Sequence, residues 1–302
     1  MKKTLDNQYY FKISQKNPED ILDEFYIFDE KHPDIKKYIN NTKEIKNVLI
    51  TIRTLQRHKQ DKKTIENCFL KLSGILGKFS NCSEFSCFIN ACDSYLALAK
   101  EDVNLLKKIV QKYLKKRIIN ESVPEEWVQA ILDSNSGRKK GKSGERKLLT
   151  ILKRNGFQEV KNWKDFSNSY RCVSRFSKIF NVKNVRTHLK IKISTKKQNK
   201  NLDLLIKIGQ RIFLCEAKHL NTSGGAQDKQ ISELIEIISL KEKEKNISYV
   251  SFLDGSYSNI ILNNNECGGK LKTQREEIKK YLSKNPFNFW VNTAGFKALF
   301  SK

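Results

Sequence analysis

Residues 201–218 place two carboxylates and an ammonium group where a tight hairpin brings them together. The stretch reads N-L-D-L-L-I-K-I-G-Q-R-I-F-L-C-E-A-K. Two apolar runs flank Gly209-Gln210, which suits a two-residue hairpin turn. With that loop, 208 faces 211, 205 faces 214, and Asp203 faces Glu216. Side chains alternate along a strand, so Lys218 shares the face of Glu216. Opposed like charges on neighbouring strands are unfavourable. At ~4 Å and an effective dielectric of ~20 the repulsion is about 4 kcal/mol. A divalent cation reverses that sign, and hard oxygen donors point to Mg²⁺. The plainer alternative makes Glu216 and Lys218 solvent-facing partners across a sheet. Against it, Ile212-Phe213-Leu214-Cys215 is buried-type on both faces.

The elements that position these groups read as two parts. Residues 1–135 read as a mostly helical subdomain, with apolar positions at helical spacing in Ile45–Leu55, Thr64–Phe79, Phe85–Leu98 and Val103–Leu114. Glu125 to Leu132 is a further short helix, begun by Pro124. Residues 136–302 read as the catalytic domain. Within 133–144 a polar, basic, glycine-bearing segment reads as a linker or as a loop wrapping a phosphate backbone, with Ser143 capping the helix that follows. Phe157–Val160 reads as a short strand, and Leu189–Ser194 alternates like one. The remainder of 161–200 shows no clear period. After the hairpin come a helix (Gln227–Leu240), a strand (Ile247–Leu253), a helix (Leu271–Leu282), a strand (Phe287–Val291) and a helix (Ala294–Phe300). That order predicts an α/β fold: a mixed central sheet flanked by helices, with an N-terminal helical subdomain.

The formal charge is +25, from 58 basic and 33 acidic residues among 302. Residues 137–200 hold 20 of the basic and 3 of the acidic ones, so the excess is concentrated beside the candidate site. This indicates a polyanionic partner. Arg138, Lys139, Lys140 and Lys142 are natural phosphate contacts. Arg171 and Arg175, interleaved with Tyr170 and Phe176, are placed to reach a groove, where Arg reads guanine edges and Lys positions the duplex. Lys229 and Gln230, opening the helix after the site, are further DNA-contact candidates. The seven cysteines show no C-x-x-C, and the even spacing of Cys82, Cys87 and Cys92 fits no zinc site, so they read as small apolar residues in a reducing cytosol. No secretory leader, lipid anchor or membrane-length apolar run is expected, which predicts a cytoplasmic, bacterial protein with no membrane partner. There is no phosphate-binding G-x-x-x-x-G-K-[ST] loop, and the four scattered histidines form no H-N-H motif.

Leu202-Asp203 followed by Glu216-Ala217-Lys218 resembles the signature of the PD-(D/E)XK nuclease superfamily, with Leu202 in place of the proline. The order helix, hairpin, helix, strand over residues 142–253 is similar to that superfamily's restriction-endonuclease-like core. Glu145 sits where many members carry an acid, although an acid in a first helical turn is also favoured by the dipole. The resemblance implies that Asp203, Glu216 and the carbonyl of Ala217 hold Mg²⁺. It implies that Lys218 orients the attacking water and offsets charge on the phosphate, with Glu145 an outer ligand. Ser223-Gly224-Gly225 is similar to a segment of restriction endonucleases that cut at GATC, with spacing one residue longer. It supports a restriction enzyme without assigning that sequence, and a tight turn explains the glycines equally.

These readings converge on a Mg²⁺-dependent, sequence-specific type II restriction endonuclease. The expected form is a homodimer, as suits a palindromic site, with the helical subdomain over 1–135 serving DNA grip or dimerisation and a cognate DNA methyltransferase acting on the same sequence. The alternatives are a structure-specific DNA repair nuclease and a DNA-binding protein on an inactive nuclease fold.

Overall fold

The computed structural model describes residues 6–21, 23–26, 31–59, 61–92, 94–134, 137–193, 202–244 and 246–301, with the side chains of 137–141 outside the description. The chain divides into two compact units: residues 1–27 with 138–302, and residues 28–137 between them.

Helix α1 (Asn7–Lys16) opens the first unit. The expected subdomain boundary is corrected here, because α1 belongs to the sheet-bearing unit. The buried Asn7 side chain donates to the carbonyls of Leu282, Asn285 and Asn288. Farther along, Asn292 donates from its backbone N–H to Ser14 Oγ and from Nδ2 to the carbonyls of Ser14 and Asn17. These bonds satisfy buried polar groups at both ends of α1, which ties it to the C-terminal part of the chain.

The intervening unit is helical: α2 (Ile35–Arg57), α3 (Lys62–Ile75), α4 (Glu84–Ala91), α5 (Leu96–Glu101), α6 (Val103–Lys116) and α7 (Glu125–Ser134). The single helix expected over Phe85–Leu98 is two, α4 and α5. Its core joins Ile45, Leu49 and Ile52 to Leu72, Phe85, Leu106 and Tyr113.

Back in the first unit, α8 (Gly137–Arg154) begins earlier than expected. The basic segment is helix and not loop, since Lys and Arg are good helix formers and outweigh glycines costing ~1 kcal/mol each. Ser143 is buried within α8 and does not open it. Next come β1 (Gln158–Glu159), α9 (Trp163–Asn168), β2 (Arg171–Arg175) and α10 (Val182–Leu189). The strand expected over Leu189–Ser194 is absent through Ile193. There α10 ends at Leu189, with Lys190 left-handed at its cap, and Ser194 lies outside the described residues. The hairpin is β3 (Leu204–Ile208) and β4 (Arg211–His219), followed by α11 (Gly225–Ser239), β5 (Ile247–Asp254), α12 (Ser256–Leu262), α13 (Gly269–Lys284), β6 (Phe289–Val291) and α14 (Thr293–Phe300).

The six strands among the described residues form one sheet in chain order. Pairings are parallel for β1–β2, β4–β5 and β5–β6, and antiparallel for β2–β3 and β3–β4. The expected mixed α/β sheet with flanking helices is therefore present. On one face Leu148 and Leu152 of α8, Tyr10 of α1 and Phe296 of α14 pack on Ile206, Phe213, Cys215 and Phe252. On the other, Val185 of α10 packs on Leu205 and Leu214, while Ile231 and Leu234 of α11 pack with Leu253 and Trp290. Alternate residues of β4 thus serve opposite faces, and every residue of β5 is buried. Among the described residues, no helix is long and apolar enough to cross a membrane.

Candidate metal centre

The β3–β4 register is the expected one, with Leu204 opposite Cys215, Leu205 opposite Leu214 and Ile208 opposite Arg211. Gly209 makes the turn with φ of 58°, where a side chain would be strained and would also press on the Tyr170 ring. Asp203 lies one residue beyond the last paired position. Its N–H donates to the Cys215 carbonyl at 3.0 Å, and its Oδ2 accepts the Ala217 N–H at 2.7 Å. The carboxylate is thereby held against the backbone between Glu216 and Lys218.

Glu216 is almost fully buried, and its Oε1 accepts the Lys218 ammonium at 2.5 Å. The Asp203 carboxyl is pushed up to about 7. Burial is the largest cause and the Glu216 charge the next. The Lys218 charge and the Ala217 N–H oppose the rise, and Glu145 adds to it. Lys218 and the Ala217 N–H thus offset only part of the rise at Asp203. An acid pair with hard oxygen donors in that condition fits a divalent cation held by Asp203 and Glu216, with the Ala217 carbonyl between them in the chain.

Comparison with family models, with curated proteins and with solved structures finds no match. The site is therefore described by its own geometry.

Glu145 lies on α8, with its Oε2 4.0 Å from an Arg175 Nη, and it acts electrostatically on Asp203. Arg175 ends β2, its Cα opposite Leu204, and its Nε donates to Glu159 at 3.1 Å. The structure brings Asp203, Glu216, Ala217 and Lys218 together, with Glu145 and Arg175 at their border. Arg171 does something other than expected. It donates to the carbonyls of Phe300 (2.5 Å) and Ser301 (3.2 Å) and lies 4.4 Å over the Phe157 ring. It clamps the end of α14, so its guanidinium is committed within the fold and the DNA-contact assignment is corrected. Lys142 is exposed on α8. Arg138, Lys139 and Lys140 also fall on α8, but their side chains lie outside the described residues. Lys229 is exposed and Gln230 part-exposed in the first half of α11.

A second polar cluster was not anticipated. Lys147 of α8 is buried, its ammonium 2.6 Å from Asp23, 2.9 Å from Asp254 and 3.4 Å from Glu19. The three carboxylates lie within 4.8 Å of one another, a spacing that also suits a metal ion. Here the lysine already supplies the cation. The surrounding donors add to it: Tyr26 donates to Asp254 at 2.7 Å, Thr293 donates its N–H and hydroxyl to Glu19, and His219 Nδ1 lies 2.9 Å from Asp254, while burial still raises the Glu19 carboxyl. The Tyr26 ring stacks on His219 with centroids 3.6 Å apart. Burial alone would raise the Asp254 carboxyl, yet the His219 hydrogen bond and the Lys147 charge outweigh it and hold the group below its ordinary value. Lys147 is likewise kept protonated against burial by Asp254 and Glu19. His219, which in sequence merely follows Lys218, belongs to this cluster. The one sequence signal was Asp254-Gly255 at the end of a strand.

Proposed function

We propose that the chain is a Mg²⁺-dependent endodeoxyribonuclease of double-stranded DNA, on a core of the PD-(D/E)XK type, acting as a site-specific type II restriction enzyme. The observation that carries this reading is the convergence of Asp203, Glu216 and Lys218 on one end of the β3–β4 hairpin, with the Asp203 carboxyl pushed up to about 7 by burial and its acidic neighbour. Nothing in strand packing calls for two acids there. An isolated fold would be more stable with apolar residues in their place.

Asp203 and Glu216 are the residues that would hold the cation, joined by the Ala217 carbonyl. A bound magnesium ion supplies Lewis-acid stabilisation to a phosphate ester. The Ala217 N–H fixes the Asp203 carboxylate, so little reorganisation is needed to present it. Lys218, tethered by Glu216 and partly exposed, is placed to orient a water and to offset charge developing on the phosphate. In hydrolysis the water oxygen bonds to phosphorus, one bridging ester oxygen leaves, and a proton passes to that leaving oxygen. Glu145 stands at the border as an outer acid. The local excess of basic residues in 137–200 supports a polyanionic substrate. A homodimer in a bacterial cytoplasm, beside a methyltransferase of the same specificity, is the setting this activity suits.

The test is digestion of unmethylated phage DNA with Mg²⁺, followed by sequencing of the ends. We expect discrete fragments with a common end sequence. Asp203→Ala should reduce cleavage at least about 10³-fold, on the scale of losing a principal electrostatic stabiliser, with duplex binding retained. Uniform nicking would replace the restriction reading with a structure-specific nuclease. Unchanged cleavage in Asp203→Ala would refute the site.

A further inference from the structure

We propose that Lys153 and Arg175 form a binding site for a backbone phosphate of duplex DNA at the border of the candidate metal centre, and that Glu159 fills it in the free protein. The proposal rests on the DNA-binding part of the function above and not on its chemistry.

Three elements meet to make this site: the last turn of α8, strand β1 and the end of β2. Their geometry is specific. Glu159 Oε2 lies 2.7 Å from Lys153 Nζ, and Oε1 accepts Arg175 Nε at 3.1 Å. Each carboxylate oxygen thus meets a different cation, as two oxygens of a phosphodiester would. Arg175 presents its remaining edge toward Glu145, 4.0 Å away, and Glu145 in turn raises the Asp203 carboxyl. The Phe176 N–H donates to the Asp203 carbonyl, so the chain carrying Arg175 is fastened directly to the residue of the metal centre.

Charge use points the same way. Residues 137–200 hold only three acids. Two of them, Glu145 and Glu159, face the same arginine, and the third, Asp165, accepts from the N-cap Asn162 of α9. Lys153 and Arg175 are each about half exposed, at 55% and 49%, whereas Glu159 is 22% exposed. Exposed ion pairs contribute little to stability, so the clasp opens easily. A phosphate offers the same charge-assisted hydrogen bonds with an additional acceptor oxygen. Glu159 is then an internal competitor, displaced when duplex reaches the site.

The experiment measures affinity for a mixed-sequence duplex of about 30 base pairs by fluorescence anisotropy, without divalent ions, over about 50–300 mM NaCl. Glu159→Gln should bind about three- to tenfold tighter, and its log affinity should fall more steeply with log salt by about one to two units, since one or two cations are released to phosphate. Adding Lys153→Ala and Arg175→Ala to Glu159→Gln should remove the gain. Exposed Glu276→Gln on α13 makes the same change in net charge and should give none of it. Equal thermal midpoints establish that the variants are folded, and Arg175→Gln serves where Arg175→Ala is not. No gain in Glu159→Gln, a gain matched by Glu276→Gln, or a gain that survives loss of both cations overturns the proposal. So does failure of every variant to bind duplex. Cleavage of unmethylated phage DNA by the wild type with Mg²⁺ is measured alongside. Duplex binding without cutting would end the nuclease reading and leave this one standing.

Discussion

The cluster around Lys147 and the cluster around Asp203 are built from the same groups, carboxylates and one lysine, on one sheet. They even share a strand end: Lys218 turns to Glu216, while the next residue, His219, turns to Asp254 on the opposite face. Their electrostatics differ. Around Lys147 the ammonium sits among three acids, each also served by hydroxyl, imidazole or backbone donors; Asp254 stays below its ordinary value although fully buried, while burial raises Glu19. Around Asp203 the ammonium stands to one side, on Glu216, and the Asp203 carboxyl rises to about 7. A proximity of acids therefore does not by itself mark a metal centre. The Lys147 cluster is a cation site already filled by the protein. The Asp203 carboxyl, beside Glu216, is raised in spite of Lys218.

The comparison can be broken most forcefully at Lys147. Lys147→Met removes the shared cation and leaves buried carboxylates without it, so we expect a loss of about 3–5 kcal/mol in urea unfolding. A loss below about 1 kcal/mol would mean that the cluster does not depend on the lysine. The change at Asp203 has the opposite sign and a smaller size. Its carboxyl is 3.8 in the unfolded chain and about 7 in the fold. Below 3.8 both states hold the proton. Between 3.8 and 7 the unfolded chain releases it while the folded one keeps it, so stability falls as pH rises, and the penalty is complete above about 7. The ceiling is about 4 kcal/mol. With the exposed part of the side chain screening it, Asp203→Asn should be about 1–3 kcal/mol more stable than the wild type at pH 8, and the gap should close toward pH 4. Urea midpoints at the two pH values check this; a variant less stable at pH 8 would contradict it.

Much of the Asp203 site was legible in the chain because its parts are local. Alternation around Gly209-Gln210 determines the register, and register brings Asp203 to Glu216 whatever surrounds the hairpin. The helices and strands after residue 225 were readable for the same reason, each carrying its own period. The Lys147 cluster had no such signature. Lys147 is 128 residues from Glu19 and 107 from Asp254, and only the docking of α1 and the segment after it brings them together. Helix α1 itself (N-Q-Y-Y-F-K-I-S-Q-K) is polar by composition and is held by asparagine side chains bonding to distant carbonyls, which no local pattern reveals. Strand β2 is five residues with an arginine at each end. Its Arg171 reads as a DNA contact until the Phe300 carbonyl is seen to occupy it.

Thermal unfolding with and without Mn²⁺ at pH 8 tests the central claim most directly. At a hundredfold excess over Kd, one specific site adds about 2.7 kcal/mol. We predict a raised midpoint for the wild type and for Glu19→Gln, which alters only the lysine-filled cluster, and no rise for Asp203→Asn. A rise that persists in Asp203→Asn but disappears in Glu19→Gln would contradict the account.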